Sequence, residues 1–558
     1  MDDYSKPWLK SYDPWVKPEI DIHRTTLTDI VDQTAKAFPD RPAFHFFDVM
    51  WTYREIMGKA DRFANALIAH GLRKGDKLAI HLVNSPQYLI AIAGALKAGV
   101  IITGLSPLLT PDEIVYQVND SGAKAIITLD NLFEERLARV AFKAKSLELI
   151  LVTNLFDLVP SQKPDQKTIE LPGFEVKWLR DILNHYPDKQ PRVKVEAEDI
   201  CFIQYTGGTT GIPKGAMLTH SNMVANVMQY GNWLNTKRGN DILLCAFPMF
   251  HIAGLFHVAQ SFAFAFTQVL IPDPRNTEQI IRLMKAHRPT FIAIVPALSI
   301  MLLNESGFRE LDFSNLQIFM CGAAPFPEKK AMELNAVIGA NKLVEVFGMT
   351  ETSPLLTANP RDGIKKVGSI GIPLPSTRLK LVDLKTGKME VSQGQEGEII
   401  AAGPQVMKGY YNNPEETRIA LRDHDGEIWI HTGDVARMDE DGFFFIVDRT
   451  KDMINVGGYK VFSTEVEHKL SKHPAIELCA VIGVDNPNRV GSELVKLVVE
   501  KSKSVAYMPD ESIREDILVF ARDKLAPYKV PKIVEFMKSI PLTSVGKVNK
   551  KALRGKNK

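Results

Sequence analysis

Cysteine is scarce in this chain: Cys201, Cys245, Cys321 and Cys479 are the only four in 558 residues. They lie far apart in apolar surroundings and form no CxxC pair. That excludes a zinc spacing and a disulfide framework, and predicts buried, reduced thiols in a cytoplasmic protein. An excess of one charge is also missing. A net charge of +2 gives no field that would draw the whole molecule to nucleic acid. Basic residues gather only at the end, at Lys547, Lys550, Lys551, Arg554, Lys556 and Lys558, and most of them read as a solvated tail. The opening Met1-Asp2-Asp3-Tyr4-Ser5-Lys6 lacks a basic-then-apolar leader. Long uninterrupted apolar runs are absent. The most apolar stretch, 252–271, holds His257, Gln260, Ser261 and Gln268 and is flanked by Pro248 and Pro272. It predicts a buried helix and strand, with no membrane span; peripheral association stays open. Internal repeats and low-complexity tracts are absent too.

What is present fits an ordinary globular α/β chain of two to four domains. Residues 26–190 alternate helical and strand-like segments. Asp61 to Leu72 carries Phe63, Leu67 and Ile68 on one face and stops at Gly71. Strands are expected at 77–82, 100–102, 123–128 and 149–152, with a helix through 88–98. The segment 159–195 is rich in Pro, Lys and Asp and reads as a surface excursion. Residues 240–345 repeat the alternation, with strands at 242–245, 268–271, 291–295 and 318–321. Near Gly368 the texture changes to short strands and glycine turns, a β-rich subdomain over about 365–448. The last hundred residues read as a separate α+β unit. Thr464-Glu465-Val466-Glu467 and Ser512-Ile513-Arg514-Glu515 each look like a capping box opening a helix, with strands at 478–484 and 494–500 between them. The division expected is 1–448 and 449–558.

Several polar stretches follow expected strands, where open α/β sheets bind ligands. Tyr205-Thr206-Gly207-Gly208-Thr209-Thr210-Gly211-Ile212-Pro213-Lys214-Gly215 follows the apolar run 200–203 and precedes a helix starting near Ser221 and carrying Val224, Val227 and Met228. Glycines expose backbone N–H groups, threonines add hydroxyl donors and lysine adds charge, which suits a phosphate. It is not a Walker A loop, because Ile212 or Pro213 stands where Gly-Lys-Ser/Thr would have to be. Cys321-Gly322-Ala323-Ala324-Pro325 leaves room for a flat ligand. Val346-Phe347-Gly348-Met349-Thr350-Glu351-Thr352 offers a ring, a hydroxyl and a carboxylate. Ile430-His431-Thr432-Gly433-Asp434 ends a strand with a carboxylate, and Val447-Asp448-Arg449-Thr450-Lys451-Asp452 is a dense charge cluster. Taken singly, each has an ordinary reading as a turn, a core ring, a helix cap or a solvated linker.

In order and spacing these stretches together resemble the adenylate-forming acyl-CoA synthetases, the superfamily that includes luciferases and the adenylation domains of peptide synthetases. The resemblance runs from about Thr25 to Leu553. The loop 205–215 resembles the family's phosphate loop, 347–351 its Tyr-Gly-x-Thr-Glu motif, 431–434 its Thr-Gly-Asp motif, 448–465 its hinge motif, and Pro541-Leu542-Thr543-Ser544-Val545-Gly546-Lys547 its terminal lysine motif. Gly403-Pro404-Gln405-Val406-Met407, Gly409-Tyr410 and Tyr528-Lys529-Val530-Pro531-Lys532 look most like the bacterial long-chain fatty-acid CoA ligases.

That resemblance implies a layered α/β N-terminal domain with a β-rich subdomain and a small mobile α+β C-terminal domain. It implies two half-reactions: a carboxylate attacks the α-phosphate of ATP, releasing pyrophosphate, and the thiol of coenzyme A then displaces AMP. By the same resemblance Thr206, Gly207, Gly208, Thr209, Thr210, Gly211 and Lys214 hold the β- and γ-phosphates, Thr350 contacts the α-phosphate, and Glu351 binds Mg²⁺. Gly322, Ala323, Ala324, Phe347 and Gly348 enclose adenine, Asp434 and Arg449 hold the ribose, and Lys547 bridges carboxylate and α-phosphate. Lys451 is the hinge, and Gly457, Gly458, Tyr459 and Lys460 shape the coenzyme A tunnel. Phe250, His251 and Leu255 belong to the acyl site, with His251 near the carboxylate. Two positions depart from the pattern. Leu255 stands where some long-chain relatives carry a gating Trp, and Phe347 replaces the motif's Tyr, which keeps stacking but loses a phenol.

The partners expected are a small carboxylate, ATP and coenzyme A, with no nucleic acid; monomer and homodimer are not distinguished. A medium- or long-chain fatty acid is the first reading of the carboxylate. An aromatic or alicyclic acid, with the reaction run toward ATP, is the second. A carrier-protein loader and a non-catalytic acyl-binding protein are the remaining alternatives. The four residues Glu351, Asp434, Arg449 and Lys547 argue against the last.

Overall fold

Strands at 77–81, 125–129 and 149–153 are continuous apolar runs, and every one of their residues from Leu78 on is buried. Such runs suit parallel strands covered on both faces. In the computed structural model, which describes all residues except 1–5, 23–24, 163, 165–167, 207–211, 451, 458, 488, 490–491, 544–546 and 556–558, they form the centre of an eight-stranded sheet. Its parallel part runs Ile200–Thr206, Ile101–Gly104, Lys77–His81, Ala125–Leu129, Leu149–Thr153 and Glu175–Trp178. A second sheet of nine strands has the parallel order Leu343–Gly348, Ile318–Cys321, Phe291–Ile294, Ile242–Cys245, Thr267–Leu270 and Pro42–Phe46.

One apolar core joins both sheets. It takes Leu78, Ile80, Ile127 and Phe202 from the first, Phe44, Phe291, Ala293 and Val346 from the second, and the helices Tyr53–Ala69, Pro86–Lys97, His220–Trp233 and Ile252–Phe264. Every residue of Ile252–Phe264 and of Pro86–Lys97 is buried, as expected of helices that are apolar all round. The opposite face of the second sheet takes the alternate residues, Ile292, Ile294 and Phe319, and packs on outer helices. No helix among the described residues is long and apolar enough to cross a membrane. A five-stranded antiparallel sheet, Arg378–Val382, Gly397–Ala402, Glu427–Met438, Leu421–His424 and Phe444–Arg449, supplies the β-rich part. Beyond it, a hairpin (Ile454–Val456, Tyr459–Val461) and a three-stranded sheet (Ile476–Asp485, Glu493–Lys501, Ile533–Met537) share their own core with two helices. The chain is thus a mixed α/β protein with a large N-terminal domain and a small C-terminal one.

Several expectations are corrected. The glycine loop does not lead straight into a helix. Lys214–Thr219 is a strand, antiparallel to Ile200–Thr206, and the helix begins at His220. Burial on both faces goes with this, since the adjacent pairs Gly215/Ala216 and Leu218/Thr219 are all enclosed. The loop therefore joins the two strands of an antiparallel pair. Met228 lies on that helix's exposed side, unlike Val224 and Val227. The segment 159–195 is more than an excursion, since Glu175–Trp178 is the sheet's edge strand and Leu179–His185 a helix. Neither C-terminal capping box forms. The helix Ser463–Leu470 is capped from outside by the Asp448 carboxylate, which accepts from the Ser463 N–H, from Ser463 Oγ at 3.0 Å and from Thr464 Oγ1 at 3.2 Å. The helix Asp510–Lys524 starts two residues before Ser512, with no side-chain cap. The tail is not simply solvated. Lys550 reaches Ser463 Oγ and Glu467, both at 2.7 Å, and Arg554 pairs with Asp452 at 2.9 Å. Cys201, Cys321 and Cys479 are buried and Cys245 partly so, all as free thiols.

Candidate active site

Parallel strands of the second sheet end on one side, and three of the predicted stretches leave from those ends. After Ile242–Cys245 the chain runs through Phe247 and Phe250 to His251. After Ile318–Cys321 come Gly322, Ala323 and Ala324, and after Leu343–Gly348 comes the tight turn Thr350–Thr352. Smallness here is structural. A Cβ on Gly322 would lie 2.6 Å from Val346 Cγ2, and one on Gly348 would lie 1.8 Å from the Pro354 carbonyl oxygen. The neighbouring strand end leaves no room at Gly322, and the chain returning through Pro354 leaves none at Gly348. Ala323 takes a left-handed φ of 70° to make the turn.

Glu351 is buried at 6% exposure, yet its carboxylate is met by a donor from the other sheet. Tyr410, on the short strand Gly409–Tyr410, donates its phenol to Glu351 Oε1 at 2.6 Å. Burial first, and the Glu351 carboxylate second, push the phenol's pKa far up. Lys214 lies 4.7 Å from the Tyr410 ring centre and pairs with Glu416 at 2.5 Å. The loop's lysine and the carboxylate of Glu351 are thus bracketed by one tyrosine. Tyr116 and Asp120, one turn apart on Pro111–Ser121, hold the two stems of the loop. Tyr116 donates to the Pro213 carbonyl at 2.9 Å, and Tyr205 donates to Asp120 at 2.5 Å. Gly207, Gly208, Thr209, Thr210 and Gly211 lie outside the described residues, as do Lys451 and Gly458.

Asp434 and Arg449 face each other across the antiparallel pair of Glu427–Met438 and Phe444–Arg449, with Nε to Oδ1 at 2.9 Å. Asp434 foremost, with help from Asp452 and Glu351, raises the guanidinium's pKa. Behind Asp434, Glu398 accepts from the Gly433 N–H at 3.0 Å and meets His431 Nδ1 at 3.0 Å, and His424 continues the line at 2.9 Å. Contact with His431 outweighs burial and lowers the Glu398 pKa.

His251 caps the helix Ile252–Phe264, and its Nδ1 accepts from the Ala253 N–H at 3.2 Å. Burial first, and the charge of Lys547 second, lower its pKa to about 3. It is therefore neutral near pH 7, and with Nδ1 occupied as an acceptor its proton sits on Nε2, a ready donor. Lys547 thus acts at the head of this helix although it lies almost three hundred residues away in sequence. The Phe250 carbonyl accepts from Gln204 at 2.5 Å, and Leu255 is buried at 2% exposure. The predicted coenzyme A residues are elsewhere. Tyr459 is 63% exposed and stacks on Tyr528 at 4.8 Å, Lys460 is exposed, and the Gly457 N–H donates to Ser492 Oγ at 2.9 Å.

Two residues escaped the sequence reading. Tyr410 stood in a motif used only as a family mark. Glu345, two residues before Phe347, is buried enough that its carboxyl pKa rises to about 8. Alternation sets it on the sheet face opposite Val346.

Known proteins bear on this arrangement. Residues 31–411 match the family described as AMP-binding enzyme, and residues 465–547 match the AMP-binding enzyme C-terminal domain. A long-chain-fatty-acid–CoA ligase of Bacillus subtilis (strain 168) is 38% identical over 98% of this chain and 97% of its own length. A feruloyl-CoA synthase of an Amycolatopsis species is 33% identical over 93% of this chain and 96% of its own. Among solved structures, an anthranilate CoA ligase in complex with anthranoyl-AMP superposes with a TM-score of 0.84 at 25% identity, covering 97% of this chain and 98% of that one.

Proposed function

The chain belongs to the AMP-binding enzymes, and from that premise we propose that it is an AMP-forming acid–thiol ligase that converts a medium- or long-chain fatty acid to its coenzyme A thioester. The observations that support the reading are the charge of Lys547 felt at the neutral His251, and the Arg449 guanidinium set among Asp434, Asp452 and Glu351. In the first half-reaction a carboxylate oxygen attacks the α-phosphorus of ATP and pyrophosphate leaves. An anion approaches a polyanion, so fixed donors and cations must be in place beforehand. His251 Nε2–H and the Lys547 ammonium orient the carboxylate, and Lys547 holds the charge that builds on the α-phosphate. Thr350 adds a hydroxyl there. Thr206, Lys214 and the loop between them hold the leaving pyrophosphate. Asp434, positioned by Arg449, takes the ribose hydroxyls, and Phe347 stacks on adenine against Gly322, Ala323 and Ala324.

Glu351 fits a magnesium site of the sparse kind, one carboxylate completed by phosphate oxygens and water. The ion would supply positive charge to the phosphates. Within the chain, Tyr410 fixes the carboxylate that would hold it.

In the second half-reaction the thiolate of coenzyme A attacks the acyl carbonyl and AMP leaves. The division at 448/449, a hinge at Lys451 and the exposed 457–460 segment suit a rotated arrangement for that step. Asp448, Asp452, Lys550 and Arg554 tie the lysine-bearing end of the chain to the residues flanking the hinge. A cytoplasmic setting accords with free thiols. A second reading, an aromatic acid, is favoured by the feruloyl and anthranilate relatives. The test is AMP release with coenzyme A across acetate, octanoate, palmitate, benzoate and cyclohexanecarboxylate, with acid-dependent pyrophosphate exchange into ATP alongside. Octanoate or palmitate leading supports the fatty-acid reading. Benzoate leading replaces it, and no exchange with any acid overturns the ligase reading.

A further inference from the structure

The helix Ile252–Phe264 carries two polar side chains that the chemistry above leaves unused. His257 and Gln260 are enclosed, at 1% and 0% exposure. One turn apart, they meet each other, His257 Nδ1 lying 2.9 Å from Gln260 Oε1. Around the imidazole stand Phe247, stacked at 6.0 Å, Phe256 at 5.3 Å and Phe291 edge-on at 5.6 Å. Among the described residues, the far ends of the pair, His257 Nε2 and Gln260 Nε2, have no hydrogen-bond partner, nor does the phenol oxygen of Tyr230, whose ring packs on Phe256.

Such orphans are costly, and folded proteins keep few without a use. Apolar side chains at both positions would avoid the cost. The pair's chemistry narrows the use. If Nδ1–H donates to the amide oxygen, an imidazole acceptor and an amide N–H are left over. If the amide is turned over, an Nε2–H donor and the amide oxygen are left over instead. Either way one donor and one acceptor remain, which is what a hydroxyl complements. Burial holds the His257 pKa at about 4, so the imidazole is neutral near pH 7 and suits a neutral partner. His257 also lies six residues along the helix from His251, a rise of about 9 Å.

We propose that His257 and Gln260 form a polar recognition point in the acyl-binding region, which selects acids carrying a hydroxyl at the end remote from the carboxyl group. The proposal rests on the ligase reading, with His251 at the carboxylate end. A para-hydroxylated arylpropenoic acid and an ω-hydroxylated eight-carbon acid both present that group, and their parent acids do not.

The test is kcat/KM for AMP release with two matched pairs, 4-hydroxycinnamate against cinnamate and 8-hydroxyoctanoate against octanoate. At least one hydroxylated member is expected to lead its parent by about 10–100-fold, one well-made buried hydrogen bond or two; which pair does so tells the aryl source from the alkyl one. In the double variant His257→Leu/Gln260→Leu the preference collapses to about twofold or reverses, because the parent acid gains an apolar wall. Gln260→Met alone, a milder change, lowers the preference part-way. Equal kcat/KM within both pairs in the unaltered enzyme overturns the proposal without any variant. A preference that survives the double variant overturns it too, and assigns the orphan atoms to buried water. Pyrophosphate exchange absent with every acid overturns the ligase reading and this proposal with it; exchange without hydroxyl preference overturns this proposal alone.

Discussion

Along the nucleotide edge of the site, Asp434 faces Arg449 at 2.9 Å, Lys214 faces Glu416 at 2.5 Å, and Glu351 is held by a phenol at 2.6 Å. Along the acyl helix, burial is the first cause acting on both histidines and holds His251 at about 3 and His257 at about 4. One edge is preorganised with opposite charges before any substrate arrives. The other keeps its polar groups neutral inside an apolar shell. The difference matches the two things to be bound. A polyphosphate demands charge that is already in place, since reorganising charge during reaction is what raises a barrier. An acyl chain demands exclusion of water, and a charged imidazole there would oppose it.

The largest break in this contrast comes from the charge felt at His251, which the proposed mechanism also sets against the α-phosphate. Lys547→Ala removes it, and acid-dependent pyrophosphate exchange should fall by about 10²–10³-fold. Thioester formation from a supplied acyl-adenylate should stay within a few-fold of the unaltered enzyme. Rapid-quench measurement of each half-reaction checks the split. Equal losses in both would mean that Lys547 serves the fold rather than the first step.

Asp434→Asn strikes the charged edge alone. It leaves the Arg449 guanidinium without its main partner, and a lost charge-assisted hydrogen bond is worth about 1.5–3 kcal/mol. KM for ATP should rise about 10–100-fold, while KM for the acid, read at saturating ATP, moves little. A matching rise in both constants would show that the two edges are one unit.

Tyr410→Phe is milder. The Glu351 carboxylate stays but loses its 2.6 Å donor. One neutral-donor hydrogen bond corresponds to about a tenfold loss in kcat/KM for ATP, with more magnesium needed to reach half-maximal rate. A magnesium titration of variant and parent checks it; unchanged midpoints would detach Tyr410 from the metal carboxylate.

The same contrast explains how much the sequence reveals. The charged edge needs particular residues at fixed spacing, so Glu351, Asp434, Arg449 and Lys547 stand out as motifs. The parallel strands were legible because continuous apolar runs have few other readings. The hairpin strand Lys214–Thr219 was not, since it starts inside a glycine motif and its six residues show no two-residue period. Asp448 was read as charge beside a linker, yet it is fully buried and caps a helix fifteen residues on. Tertiary capping of that kind leaves no local pattern, and here it displaced the local capping boxes. His257 and Gln260 were visible only as interruptions that argued against a membrane span. Their orphan atoms depend on what surrounds a helix, which periodicity does not report.

The smallest effect tests the neutral edge. An imidazole titrates near 6.5 in an unfolded chain, and His257 titrates at about 4 in the folded one. Between those values the unfolded chain binds more protons, so stability rises with pH across that window. The contribution is complete above about 6.5 and is lost as pH falls through 4. At pH 5 the loss from this one group is about 2 kcal/mol at most, from 1.36 kcal/mol per pH unit. His257→Leu removes the titration. Whatever it does to stability at pH 7, the drop in apparent Tm from pH 7 to pH 5 should shrink by up to about 2 °C relative to the unaltered protein. Asp434→Asn, on the charged edge, should leave that drop where it was. Thermal scans of the three proteins at both pH values read this directly. If His257→Leu shows the same drop as its parent, the imidazole is not held neutral by its surroundings, and the two edges do not differ in the way their geometry says.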